Sequence, residues 1–322
     1  GYNVAMGVDA LGASVDVDQA VAIGHSAMGG GDVTSAANGS VAIGKDALVS
    51  LTSGIGNVAI GHQALDAEDA GSYNTAIGTT ALSALNVDGT VGNVAVGYAA
   101  GRDSSTGVKN TFVGGFCGTT TVDADECVFV GYASGGDGNI TSGGDGSVGV
   151  GAFALNDLTT GVKNTALGYQ TLDALTTGGE NTVVGYGAGT AILGGSNNTV
   201  VGSRSATLLS SGSNNTVVGN IAGYNMTTAG QNVLIGYRAG YGNDTTPWTG
   251  DYNVIIGHDA GKVVEGDASN FNTIVGFEAG KASTSGATNT LIGAFAGGTL
   301  TSGTNNVLIG YNAGSYDGAD IT

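Results

Sequence analysis

Asn181-Thr182-Val183-Val184-Gly185-Tyr186-Gly187-Ala188-Gly189 and Asn57-Val58-Ala59-Ile60-Gly61-His62-Gln63-Ala64-Leu65 share one grammar: Asn, then Val or Thr, then two apolar residues, then Gly. The closing glycine recurs eighteen times, from Gly7 to Gly310, and twelve of the seventeen gaps are 17 residues. The remaining gaps are 19, 20 or 21 residues, so the variation is insertion into one loop. A fixed period of this kind means stacked supersecondary units.

Each slot has a physical reading. Three before the glycine stands Val or Thr in every copy (Val58, Thr75, Thr182), the β-branched pair that favours extended backbone. The next slot is Ala, Val, Leu, Ile or Phe except at Gly149, and the one after it is always apolar. Neighbouring strand residues face opposite sides, so apolar residues at both slots predict a strand covered on both faces. Four before the glycine is Asn in fourteen copies, including Asn57, Asn181 and Asn198; Ala20, Ser40, Cys127 and Ser147 replace it. In stacked coils these amides fall into register and predict a ladder. The glycine, as at Gly61, Gly78 and Gly185, predicts positive φ or a site with no room for a Cβ. Three residues beyond it a small side chain (Ala64, Ala100, Cys117, Thr171) implies a second tight corner, and the rest of the coil reads as a polar turn.

The expected fold is therefore all-β, a single parallel β-solenoid over 1–322 of about eighteen 17-residue coils. Seventeen residues enclose few side chains, and one such column would leave the second apolar strand face in water. Three copies about a common axis would bury it, giving a homotrimer on the order of 85 Å long at ~4.8 Å per coil. The first residues start in register with the repeat and no polar cap stands at either end, so the chain is expected to be a segment of a longer fibre or to stack end to end.

Composition agrees. There are 62 glycines but one proline, Pro247, which fits neither collagen nor an ordinary globular domain. Apolar residues at 41% supply a core. A net charge of −18 repels phosphate backbones and anionic lipid, so neither nucleic acid nor a membrane is an expected partner, and no apolar run reaches the roughly 20 residues of a membrane span.

The two quoted units resemble the head repeat of trimeric autotransporter adhesins, a left-handed parallel β-roll, and the similar repeat tract of bacteriophage tail fibres. The resemblance covers the whole chain. It implies a left-handed roll, a trimer, and an extracellular place on a virion tail fibre or a cell-surface filament. It further implies that the roll serves as a spacer or binding head for a cell-surface saccharide or protein receptor. The coiled-coil stalk, anchor barrel and self-cleaving chaperone of those families have no counterpart in the sequence.

Candidate chemistry is sparse. His25, His62 and His258 all follow the repeat glycine, where Tyr98, Tyr132, Tyr169, Tyr186, Tyr237 and Tyr311 stand in other coils, so they read as one surface slot. Gly24-His25-Ser26-Ala27-Met28 departs from a nucleophile elbow at Met28. The glycine-rich stretches precede no helix and are not phosphate loops. Asp137 and Asp145, in two Gly-Gly-Asp-Gly segments, with Asp123 and Asp125 nearby, are calcium candidates whose simpler reading is solubilising charge. Cys117 and Cys127 flank one loop and read either as a disulfide staple or as two buried thiols. The post-glycine tyrosines with Trp248, in the longest insertion, suggest an aromatic strip for sugar rings or for packing.

The expected function is a structural or adhesive fibre segment without catalysis. A polysaccharide-cleaving tailspike would need two carboxylates within several ångströms, and the acids here are scattered. An ice-binding solenoid would want threonine throughout, whereas the slot holds eight Thr and ten Val.

Overall fold

The computed structural model describes residues 2–12, 14, 16–242, 245–265 and 269–314. It contains two compact units, Gly1–Lys163 and Asn164–Thr322, and both are parallel β-solenoids built from the predicted coil.

In the first unit nine repeat strands of three residues, among them Val41–Ile43, Val58–Ile60 and Thr75–Ile77, form one parallel ladder. The register equates repeat slots, with Val58 opposite Thr75, Ala59 opposite Ala76 and Ile60 opposite Ile77. The second unit has nine more, from Thr165–Leu167 to Val307–Ile309, paired in the same way. Insertions leave this ladder intact. Two of them carry short 3-10 turns, Ser35–Ala37 and Ser142–Gly144, and a third pairs Gly71–Ser72 with Gly89–Thr90.

The middle residue of each internal strand points inward and is buried: Ala59, Phe112 and Phe129 in the first unit, Val183, Leu234 and Leu291 in the second. A second interior column stands three and four residues after the glycine, as at Ala64 and Leu65. A third stands seven after it: Leu51, Leu85, Leu158, Leu175 and Leu209. That third column lies in the stretch expected to be polar turn, so the coil interior is larger than the sequence reading allowed. The residues flanking the central one face outward and are only partly covered, with Ile77 37% and Leu167 47% exposed.

The repeat glycine satisfies both expectations at once. Gly61 has φ +141°, and a Cβ there would lie 2.5 Å from the carbonyl carbon of Gly78 in the next coil; Gly78 and Gly185 have φ +140° and +144° in the same environment. Three further left-handed corners follow in the coil: the one four after the glycine, where a tight corner was expected, is held by Leu65 (φ 51°) here and by glycine in coils such as that of Gly101, while the two not foreseen are held by Gln63 (φ 54°) and Tyr73 (φ 65°). Such residues cost roughly 1–2 kcal/mol each, and the closed hydrogen-bonded coil holds them there.

The asparagine ladder is present. Asn57 Nδ2 donates to Gly71 O (2.7 Å), and Asn57 Oδ1 accepts from the Asn74 amide (2.9 Å). In the second unit the ladder is complete from Asn164 to Asn306. Asn181 Nδ2 donates to Asn164 Oδ1 (3.0 Å) and Gly195 O (2.8 Å), and Asn198 Nδ2 to Asn181 Oδ1 (3.0 Å) and Gly212 O (2.9 Å). Asn57, Asn181 and Asn198 are fully buried. Three of the four substitutions at this slot keep a donor, Ala20 being the exception: Ser40 Oγ donates to Gly54 O (3.2 Å), Ser147 Oγ to Gly161 O (3.3 Å), and Cys127 Sγ to Gly144 O (3.4 Å).

Candidate functional site

The slots just after the repeat glycine carry an aromatic array on the outer surface. Turning at the glycine and again two residues later aims both side chains away from the interior, and one-coil spacing brings successive rings into contact. In the first unit Tyr98 meets Phe116 edge to face at 5.0 Å, Phe116 meets Tyr132 at 5.8 Å, and Tyr132 meets Phe153 at 5.6 Å. In the second, Tyr169 stacks on Tyr186 at 5.5 Å, and a longer run joins Tyr237, His258, Phe277, Phe295 and Tyr311 at 4.9 to 5.9 Å. Arg238 lies 5.8 Å from the Tyr237 ring centre and Lys281 5.8 Å from that of Phe295. Both distances are within cation–π range.

Phe116, Tyr132 and Phe153 wall a groove of about 320 Å³ whose polar rim is Arg102, Thr119, Thr120 and Asp137. Asp137 Oδ2 accepts from Asn156 Nδ2 (3.0 Å), and Arg102 forms a two-pronged pair with Asp103, both bonds 2.8 Å. A second groove, of about 420 Å³, is bordered by Asp259, Lys262, Glu278 and Lys281. Its charges are largely matched internally, with Lys281 2.6 Å from Glu278 and Arg238 3.4 Å from Asp259.

The tyrosine strip expected from the sequence is thus formed, but Trp248 is not part of it. Trp248 is fully buried: the insertion folds back so that Trp248 bridges Met226 in the preceding coil, filling the interior where the 21-residue spacing interrupts the third apolar column. The three histidines occupy the exposed slot predicted for them; His25 Nδ1 lies 3.0 Å from Ser26 Oγ and 3.9 Å from Asp46.

Cys117 and Cys127 are free and buried, not joined in a staple. They stand at different slots of successive coils, with Cys117 Sγ donating to Phe129 O (3.0 Å) while Cys127 takes the place of an asparagine. Burial pushes the Cys117 thiol up to about 12 and that of Cys127 to about 11.

The calcium candidates are spread over different tasks. Asp125 Oδ1 accepts from the Val108 amide (2.7 Å) and Asp145 Oδ1 from the Asp125 amide (2.9 Å), each across one coil. Asp251 and Ser196 do the same for Gly230 and Gly179 (2.7 and 3.1 Å), so the position six before the glycine forms a second capping ladder. Its signal, an Asp, Asn or Ser in several coils, is present in the sequence but diluted among other polar residues. Asp137 belongs to the groove, and Asp123 Oδ1 is buried with no hydrogen-bond partner. Among the described residues no three His, Cys, Asp or Glu side chains gather as a metal site. Glu68 was also missed. It is fully buried in the third column, its Oε1 accepting from the Gly71 and Ala70 amides (2.6 and 3.1 Å), and burial raises its pKa above the ordinary value.

No helix among the described residues is long and apolar enough to cross a membrane. Compared with known proteins, the chain matches no family model and no curated protein.

Proposed function

We propose that the protein is a structural and adhesive fibre segment that self-associates, as a homotrimer, through the outer face of its sheets and presents the aromatic side of its coils to a receptor. The observation that carries this reading is the uncovered outer strand face. Within each unit Val or Thr alternates with Ile, Val or Leu on that face, and residues such as Val113, Leu167, Ile235 and Ile292 stand 37–47% exposed. Contiguous apolar surface of this extent marks an association site, and a closed ring of identical chains buries it on every copy. The likeness of the repeat to adhesin heads and tail-fibre tracts points the same way and favours an extracellular setting.

Light scattering tests the proposal: a mass three times the 31.1 kDa chain is expected. The combined variant Leu167→Asp/Ile235→Asp, which places charge on the outer face, is expected to give monomers with unchanged circular dichroism. A native protein that runs as a monomer at micromolar concentration would refute it.

A further inference from the structure

We infer that the groove walled by Phe116, Tyr132 and Phe153 is a binding site for a neutral saccharide. This deepens the receptor-contact reading above and names the chemistry of the receptor. Three features of the groove converge on it.

The walls are aromatic and exposed. Tyr132 is 53% exposed and meets Phe116 and Phe153 edge to face, so rings of two orientations border the same space of about 320 Å³. A pyranose offers an apolar C–H face to an aromatic ring and hydroxyls around its edge, the amphipathic match such walls require.

The rim is rich in acceptors. Thr120 Oγ1 donates its proton to the carbonyls of Gly136 (3.0 Å) and Gly138, and Thr119 Oγ1 donates to Ala99 O (3.3 Å), leaving both hydroxyl oxygens able to accept. Asp137 is acceptor-only and keeps one oxygen beyond its bond from Asn156. The one strong donor is Arg102, which spends two N–H groups on Asp103 and keeps three. A ligand with many hydroxyl donors and a few acceptors satisfies this set. An extended peptide offers one N–H and one C=O per residue and matches it poorly.

Charge selects among saccharides. Arg102 is neutralised by Asp103, while Asp137 and Asp157 converge on the Asn156 amide (3.0 and 3.2 Å), so the groove carries net negative charge on a chain of net charge −18. A uronate or sialate would be repelled; a neutral hexose or N-acetylhexosamine would not. The site also lies at slots +1 to +6 from the repeat glycine, whereas the outer strand face lies at −3 and −1.

The full-length protein is titrated with cellohexaose, maltohexaose and chitohexaose, and with tetragalacturonate as the acidic counterpart, by saturation-transfer NMR and calorimetry. At least one neutral oligosaccharide is expected to bind. Tyr132→Ala should weaken it at least tenfold and Asp137→Asn severalfold, while Glu180→Gln, at an exposed position of the second unit outside the aromatic array, leaves it unchanged. Circular dichroism of each variant identifies any that fails to fold. Binding by none of the neutral probes, equal binding by Tyr132→Ala, or tetragalacturonate binding as tightly as the neutral sugars would overturn the inference. Light scattering on the same samples separates the two readings, because a trimer that binds no sugar refutes this site and leaves the fibre proposal standing.

Discussion

Leu291 and Gly297 offer a direct test of what fills the coil. Leu291 is the central strand residue of its coil and is fully buried. Gly297 lies six residues on at a left-handed corner (φ +62°), and a Cβ placed there would meet Leu291 Cδ1 at 2.9 Å, Cδ2 at 3.0 Å and Cγ at 3.4 Å. The two slots share one space. Ala59 with Leu65 and Ala166 with Leu172 are the opposite solution, a small strand residue with a large corner residue, and Leu65 holds the corner at φ 51°. Leu291→Ala alone removes a buried side chain and should cost about 2–5 kcal/mol. Gly297→Leu alone overfills the coil, about 1–3 kcal/mol, and adds the left-handed cost of roughly 1–2 kcal/mol. The double variant recreates the Ala59–Leu65 arrangement and should lose only about 1–2 kcal/mol, a favourable coupling of at least about 2 kcal/mol. Repeat proteins open locally, so the measurement is native-state hydrogen exchange of the Thr290–Ile292 amides, not a global melt. If the double variant is destabilised by the sum of the single losses, the slots do not share space and this account of the interior is wrong.

Asn198→Ala should cost about 2–4 kcal/mol in local opening free energy, because it strips partners from the buried Asn215 amide and Gly212 carbonyl; Asn198→Ser should recover part of that loss, as Ser40 and Ser147 do naturally, and hydrogen exchange reads both. Burial raises the Glu68 pKa, so stability is greatest below the ordinary glutamate value and falls as pH rises from there through the raised value; Glu68→Gln should flatten that segment of a denaturant-midpoint profile against pH, and an unchanged slope would count against the assignment. With thiols pushed to about 12 and about 11, Cys117 and Cys127 should both resist iodoacetamide in the native protein at pH 8 and both react in guanidinium, read by intact mass; a native mass two daltons light and inert after denaturation would indicate a bond instead.

How much was legible follows from how strictly each slot is constrained. The glycine, the β-branched residue and the asparagine answer to backbone contacts repeated in every coil, so their pattern survives in the sequence. The third interior column was hidden because Leu51 and Leu85 alternate there with Glu68, Ser104 and Thr121, and because insertions displace it to Ile140 and Trp248. In the sequence Trp248 reads with the tyrosines as part of a strip for sugar rings or for packing; it is buried and packs, because a ring of that size fills the gap its own insertion creates.

By itself the sequence determined the coil length, the parallel register, the amide ladder and the need for a residue without a Cβ at the corner, since each of these depends on contacts between identical slots one repeat apart. Only the tertiary structure decided which face of the strand is interior, that strand centre and following corner exchange volume, that the two cysteines are buried and unbonded, and that Phe116, Tyr132, Phe153 and Asp137 border one groove. Those facts depend on how the chain turns within a coil, at left-handed corners that ordinary residues such as Gln63 and Tyr73 occupy without any mark in the sequence.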